Sequence, residues 1–192
     1  MQCVNFPTLV EDIIKKSRFI GCIYPCLSEA EVATYLTALR LKHTGANHIA
    51  FAYRIKTEQG LICRFNDAGE PSGTAGKPIF KYIEGHDLIN VLIVVVRYFG
   101  GTKLGAGGLT RAYGNAAKQA IAVADIAEFV ELVTLQFILD YKQLQPFEYT
   151  LNKVSGHIIS KDFSGQVRLQ VQLPESQSEA LLQVFSGQVV SL

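Results

Sequence analysis

Two glycine-rich segments constrain the fold of this chain more than any other feature. The first, Asn66 to Pro78, holds three glycines and two prolines. Neither a regular helix nor a central strand absorbs that mixture, because proline lacks an N–H donor and glycine costs backbone entropy. It has to be a shaped loop. Asp67, Glu70, Ser72, Thr74 and Lys77 concentrate carboxylates, hydroxyls and a cation in it. The second segment, Phe99 to Gly108, carries Gly100, Gly101, Gly105, Gly107 and Gly108. It joins an apolar run, Leu88 to Val96, to an alanine-rich stretch from Leu109 to Ala124, and so reads as a loop between a buried strand and a helix.

That context suits an anion. A helix N-terminus presents unpaired N–H groups and the positive end of its dipole, and glycine lets a ligand come close to backbone there. With the helix starting at Leu109, Arg111, Asn115 and Lys118 share the face beside the opening, while Ala112, Ala116 and Ala120 form a face suited to close packing on a sheet. Known phosphate motifs nevertheless fail. Pro78 follows Gly76-Lys77 where a Walker loop needs Ser or Thr, and Thr110 stands where G-x-G-x-x-G needs its third glycine. No catalytic set emerges, since Asp67 and Glu70 lack a neighbouring histidine in sequence and Ser72 lacks a nucleophile elbow. His48 and His86 read as ordinary hydrogen-bonding residues. Cys22, Cys26, His43 and His48 lack metal-site spacing, so neither a metal nor a cofactor is expected.

The chain of 192 residues has a net charge of +1, too little for a protein that grips a polyanion over its whole surface. The charge is uneven. Residues 1–130 hold 14 Lys and Arg against 11 Asp and Glu, whereas residues 131–192 hold 4 against 6, which assigns any anion-binding surface to the first part. Thirteen of the 16 glycines precede residue 115, supporting two domains, 1–130 and 131–192. Four cysteines without a disulfide pattern, no secretory signal and no spanning apolar run point to the cytoplasm and away from a membrane.

The expected class is α+β. In the first domain, Arg18 to Tyr24 reads as a strand, and Ser28 with Glu31 has capping-box spacing at the start of a helix, Glu29 to Leu41. His48 to Lys56 and Leu61 to Phe65 read as a hairpin, Ile79 to Glu84 as a helix and Asn90 to Tyr98 as a strand, with helices covering one side of the sheet. In the second, strands Leu132 to Leu139, His157 to Asp162, Gln166 to Leu173 and Gln188 to Leu192 alternate with helices Gln143 to Lys153 and Glu175 to Phe185. That order, βαββαβ, is ferredoxin-like.

The wording of the two segments carries a resemblance. Asp67 to Pro78 and Val96 to Gly114 resemble the signatures of the IMPACT family, in its bacterial, YigZ-like branch. Lys16-Ser17-Arg18-Phe19, His43, Ala46-Asn47-His48 and Ala52-Tyr53 also match, so the resemblance covers about residues 10 to 125. It implies a first domain folded like ribosomal protein S5 domain 2 and a second domain similar to ferredoxin-like domains of elongation factor G. Eukaryotic members regulate translation initiation by competing for a partner of an initiation-factor kinase, but they carry a different accessory domain, so that partner does not transfer. What the resemblance implies is association with RNA or the ribosome, with Lys77, Arg97, Lys103 and Arg111 as the phosphate-contacting positions.

Three readings stay open at this point. The leading one is a non-enzymatic RNA- or ribosome-associated factor. The second is a small-molecule phosphate- or nucleotide-binding protein or enzyme that uses the glycine loops, by analogy with the GHMP kinases of similar fold. The third is a protein-interaction module.

Overall fold

The computed structural model describes residues 1–191 and divides into two compact units, Met1–Phe129 and Val130–Leu192, each considered by itself. The first unit is built on a five-stranded antiparallel sheet. Its strands are β2 (Thr8–Ile14), β3 (Ser17–Pro25), β4 (His48–Thr57), β5 (Gly60–Asn66) and β6 (Val91–Tyr98), in the order β2-β3-β6-β4-β5. Helices α1 (Glu29–Lys42), α2 (Gly76–Gly85) and α3 (Gly105–Ala122) pack on it, and a small ladder pairs β1 (Gln2–Val4) with β7 (Ile126–Glu128).

Helices cover both faces of this sheet, which corrects the expectation of one. The central strand β6 is buried along Val91 to Arg97. Its alternate residues Val91, Ile93 and Val95 pack with Ile79 and Ile83 of α2 and Leu109, Ala112, Tyr113 and Ala116 of α3. The intervening Leu92, Val94 and Val96 pack with Val32, Leu36 and Leu39 of α1. An unbroken apolar run is the sign of a strand buried on both sides, and Val91 to Val96, which follows the interruption at Asn90, is one. On the α3 face the packing is very close. A Cβ on Gly21 of β3 would stand 2.6 Å from the carbonyl oxygen of Ala116, so glycine on the strand and alanines on the helix together let α3 settle onto the sheet.

Several local signals act as expected. Ser28 Oγ accepts from the Glu31 amide at 3.2 Å, and Glu31 Oε2 accepts in turn from the amide of Leu27 at 2.9 Å, fixing the start of α1. Other elements were not anticipated. Edge strand β2 mixes polar and apolar residues on both faces. Leu9 and Ile13 are exposed, whereas Asp12 faces α3 and accepts from Asn115, so the period-2 polarity signal is blurred. Strands β1 and β7 are three residues each and depend on one another.

In the second unit, β8 (Leu132–Leu139), α4 (Tyr141–Lys153), β9 (His157–Asp162), β10 (Val167–Pro174), α5 (Glu175–Phe185) and β11 (Val189–Ser191) form an antiparallel sheet ordered β11-β8-β10-β9. This is the ferredoxin-like βαββαβ arrangement expected from the element order. Of the expected last strand, Leu192 lies outside the described residues. The core sets Leu135, Phe137 and Leu139 of β8 and Val167, Leu169, Val171 and Leu173 of β10 against Phe147, Leu151, Leu181 and Phe185. Alternation on β10 is strict, Val-Arg-Leu-Gln-Val-Gln-Leu, which explains why this half was legible from pattern alone.

Candidate anion-binding site

The first glycine-rich segment is held in shape by its own carboxylate. Asp67 accepts from the backbone N–H groups of Gly73 at 2.8 Å, Ala75 at 2.9 Å and Gly76 at 2.8 Å. Burial pushes the Asp67 carboxyl upward, but the three N–H donors outweigh it and hold the group below its ordinary value. The N-terminus of α2, which begins at Gly76, therefore already has its anion. Thr74 is buried, with its hydroxyl donating to Pro71 O at 2.6 Å, while Ser72 is exposed. Gly76 is forced by packing, since a Cβ there would lie 2.6 Å from the amide nitrogen of Asn66.

Glu70 ties this loop to β6 and α3. Its side chain is 4 % exposed, and Oε1 receives Arg97 Nη1 at 2.5 Å and the Tyr113 hydroxyl at 2.7 Å, with His48 Nε2 at 3.7 Å. Burial, then the adjoining Glu70 carboxylate, pushes the Tyr113 hydroxyl far above its usual range, so it stays a donor. Arg97 is 4 % exposed as a residue and lies between the rings of Phe19 and Phe99, at 5.4 and 5.6 Å from their centroids. Its Nη2 donates to Ser17 Oγ at 3.4 Å, but its buried Nε has no partner.

The second segment packs against the β2–β3 turn. A Cβ on Gly100 would come within 2.0 Å of the Lys16 carbonyl group, and the Gly100 amide donates to Ser17 Oγ at 3.1 Å. That turn is Lys15-Lys16, both at positive φ, 47° and 68°. A two-residue hairpin of the I′ kind demands this backbone and ordinarily draws Asn or Gly, so two lysines are held there against their preference. Helix α3 starts at Gly105, a turn before the expected Leu109. Gly105, Gly107 and Gly108 are thus its first turn instead of a loop. Their low helix propensity made the sequence read otherwise, and tertiary packing of Leu109, Ala112 and Tyr113 overrides it.

Beside this turn lies a groove of about 930 Å³ between α2, α3 and the β2–β3 turn. Lys15, Lys77, Lys81, Arg111 and Lys118 line it, with Asn115 and Tyr82, and no acidic residue does. All five cations are exposed, and none forms an ion pair among the described residues. The face inferred for Arg111, Asn115 and Lys118 is the wall that α3 contributes. Of the four positions singled out from the sequence, Lys77 and Arg111 come together here. Lys103 and Arg97 instead line a smaller pocket of about 390 Å³ with His48 and Glu70. The sequence reading missed Lys15 and Lys81. Lys77 and Lys81 are one helical turn apart, a spacing that could have found the second, but nothing local tells where the Lys15 turn packs.

Comparison with known proteins agrees with this architecture. The Impact N-terminal domain model matches residues 15–121, and a domain of unknown function, DUF1949, matches residues 137–185. An IMPACT family member of Haemophilus influenzae is 35% identical over 185 residues, covering 94% of this chain and 90% of its own. The IMPACT family member YigZ of Escherichia coli is 34% identical, covering 88% and 83%, and a Thermus thermophilus member is 43% identical, covering 69% and 70%. A crystal structure described as that of a hypothetical protein superposes with a TM-score of 0.69 at 31% identity, covering 100% of this chain and 96% of that one. No helix among the described residues is long and apolar enough to cross a membrane. With both domain models in sequence order and relatives matched over most of their length, this chain belongs to the IMPACT family.

Proposed function

We propose that the protein is a non-enzymatic RNA- or ribosome-associated factor that holds the phosphate backbone in the groove between α2 and α3. The observation that carries this reading is the composition of the groove: five cations from three separate elements, and no carboxylate among them. Opposite charge was available nearby, since Asp67, Glu70 and Asp12 all lie on the surrounding elements. Each of these carboxylates is engaged by backbone, by Arg97 and Tyr113, or by Asn115 and Gln119. The cations are left for a partner.

Such contacts position an RNA without reading its sequence. The net charge of +1 restricts them to this one surface. Filter binding of ribosomal RNA at low salt tests the reading. Affinity should fall with salt, by a slope of about 0.7 per phosphate neutralised if the RNA is single-stranded, and Arg111→Glu should weaken binding and flatten the slope. Absence of affinity at low salt, or an unchanged affinity in Arg111→Glu, overturns it.

A further inference from the structure

We infer that the pocket over Arg97 is a second site, separate from the groove, that binds a small organic anion carrying a phosphate or carboxylate group. Its volume of about 390 Å³ lies in the range, roughly 300–1,000 Å³, of pockets that enclose small molecules. Among the residues that line the two cavities, only Leu104 is common to both.

The bonding of Arg97 is unfinished. Its side chain is 5 % exposed, it lines the pocket, and its Nε is buried without an acceptor. Buried donors in folded proteins nearly always have a partner, and one that lacks it points to an acceptor not yet present. Glu70 satisfies Nη1 and Ser17 meets Nη2, so the guanidinium is positioned while part of its donor capacity is unused.

The rim is formed in part by the start of a helix. Gly105 and Ala106, the first two residues of the 18-residue α3, are exposed and line the pocket. Neither has a side chain that could cover its amide, no side chain caps the helix, and no acidic residue stands in its first turn. Lys103 adds an exposed cation beside them, without an ion pair among the described residues. Glu70 also lines the pocket, but its carboxylate is engaged by Arg97 and Tyr113, and the first residues of a helix, an ammonium and a guanidinium lining one cavity suit an oxyanion.

The remaining walls describe the rest of the ligand. Phe99, Leu104, Leu109 and Pro71 offer apolar surface for an organic body. His48 bonds Ala68 O through Nδ1 at 2.9 Å, and because a carbonyl only accepts, Nδ1 carries the proton. Its Nε2 lies 3.7 Å from Glu70 Oε1, and the ring is part of the pocket wall. This site stands whether or not the groove binds RNA.

Thermal unfolding of the full chain tests it, with inorganic phosphate, phenyl phosphate and benzoate as probes against sodium chloride at equal ionic strength. Phenyl phosphate or benzoate should raise Tm saturably beyond the salt control, and whichever does so identifies the headgroup. Lys103→Ala, at an exposed position, should weaken that probe at least tenfold. Ala106→Asp, which places an internal carboxylate over the same amides, should do likewise, and Lys118→Gln, outside this pocket, should leave the affinity for that probe unchanged. The inference is overturned if no probe stabilises beyond salt. It is equally overturned if Lys103→Ala binds as wild type, or if Lys118→Gln is the variant that loses binding.

Discussion

The N-termini of α2 and α3 make an instructive pair. Each begins within one of the glycine-rich segments, and each presents backbone amides at the positive end of a helix dipole. At α2 the amides of Ala75 and Gly76 are closed by Asp67 from within the same loop. At α3 no side chain performs that task. The two segments look alike in composition, yet one has consumed its capacity for anions in holding its own shape and the other has kept it. Glycine content therefore says that backbone is accessible, and only the position of the nearest carboxylate says for whom.

Glu70 links the closed segment to the residues flanking the open one, and its loss should have the largest effect. Glu70→Ala strands the Arg97 guanidinium in the interior, and removing one partner of a buried pair costs about 3–5 kcal/mol. Chemical denaturation should show that loss, and a decrease under about 1 kcal/mol would mean that Arg97 finds water or another acceptor.

Gly100→Ala should follow. Its methyl would meet the Lys16 backbone at 2.0 Å, where neither chain segment can yield as a flexible side chain would, and overpacking of this kind costs roughly 1–3 kcal/mol. The effect on the groove is the sharper readout, because the displaced element is the Lys15-Lys16 turn. RNA affinity should fall more than Lys15→Gln alone explains.

Asp67→Asn tests the closed end. A folded-state carboxyl held below its unfolded value contributes stability above the unfolded pKa, about 3.9, and that contribution disappears as pH falls through the folded value. Wild type should therefore lose stability below about pH 4 more steeply than Asp67→Asn, and the gap between them, about 1–3 kcal/mol at neutral pH, should close in acid. Parallel curves would sink the assignment. The smallest effect belongs to the groove cations. Lys118→Gln and Lys81→Gln should leave unfolding free energy within about 0.5 kcal/mol of wild type, as exposed substitutions do, while weakening RNA binding in filter assays. A large stability loss would make these lysines structural.

Much of the fold was readable. Period-2 alternation marked β10, the apolar Leu88 to Val96 run, interrupted only by Asn90, marked a buried strand, and Ser28 with Glu31 marked the start of α1. The failures share a cause. Strand β2 gave no signal because its inward face carries Asp12, bonded to α3, while Leu9 and Ile13 face outward. The first turn of α3 was read as loop because Gly105, Gly107 and Gly108 oppose helix locally. In both, a contact distant in sequence outweighs local preference.

By itself, the sequence determined the α+β class, the order of the elements, membership of the family and the basic face of α3, since these rest on periodicity, propensity and wording along contiguous residues. Tertiary structure alone decided which helices cover each face of the sheet, that Lys15 joins Lys77 and Arg111 at one groove, and which helix end stays open. Glu70 is 27 residues from Arg97 and 43 from Tyr113. A carboxylate's role depends on what the fold brings within 3 Å of it, and residues so far apart in the chain meet only once the sheet and helices have packed.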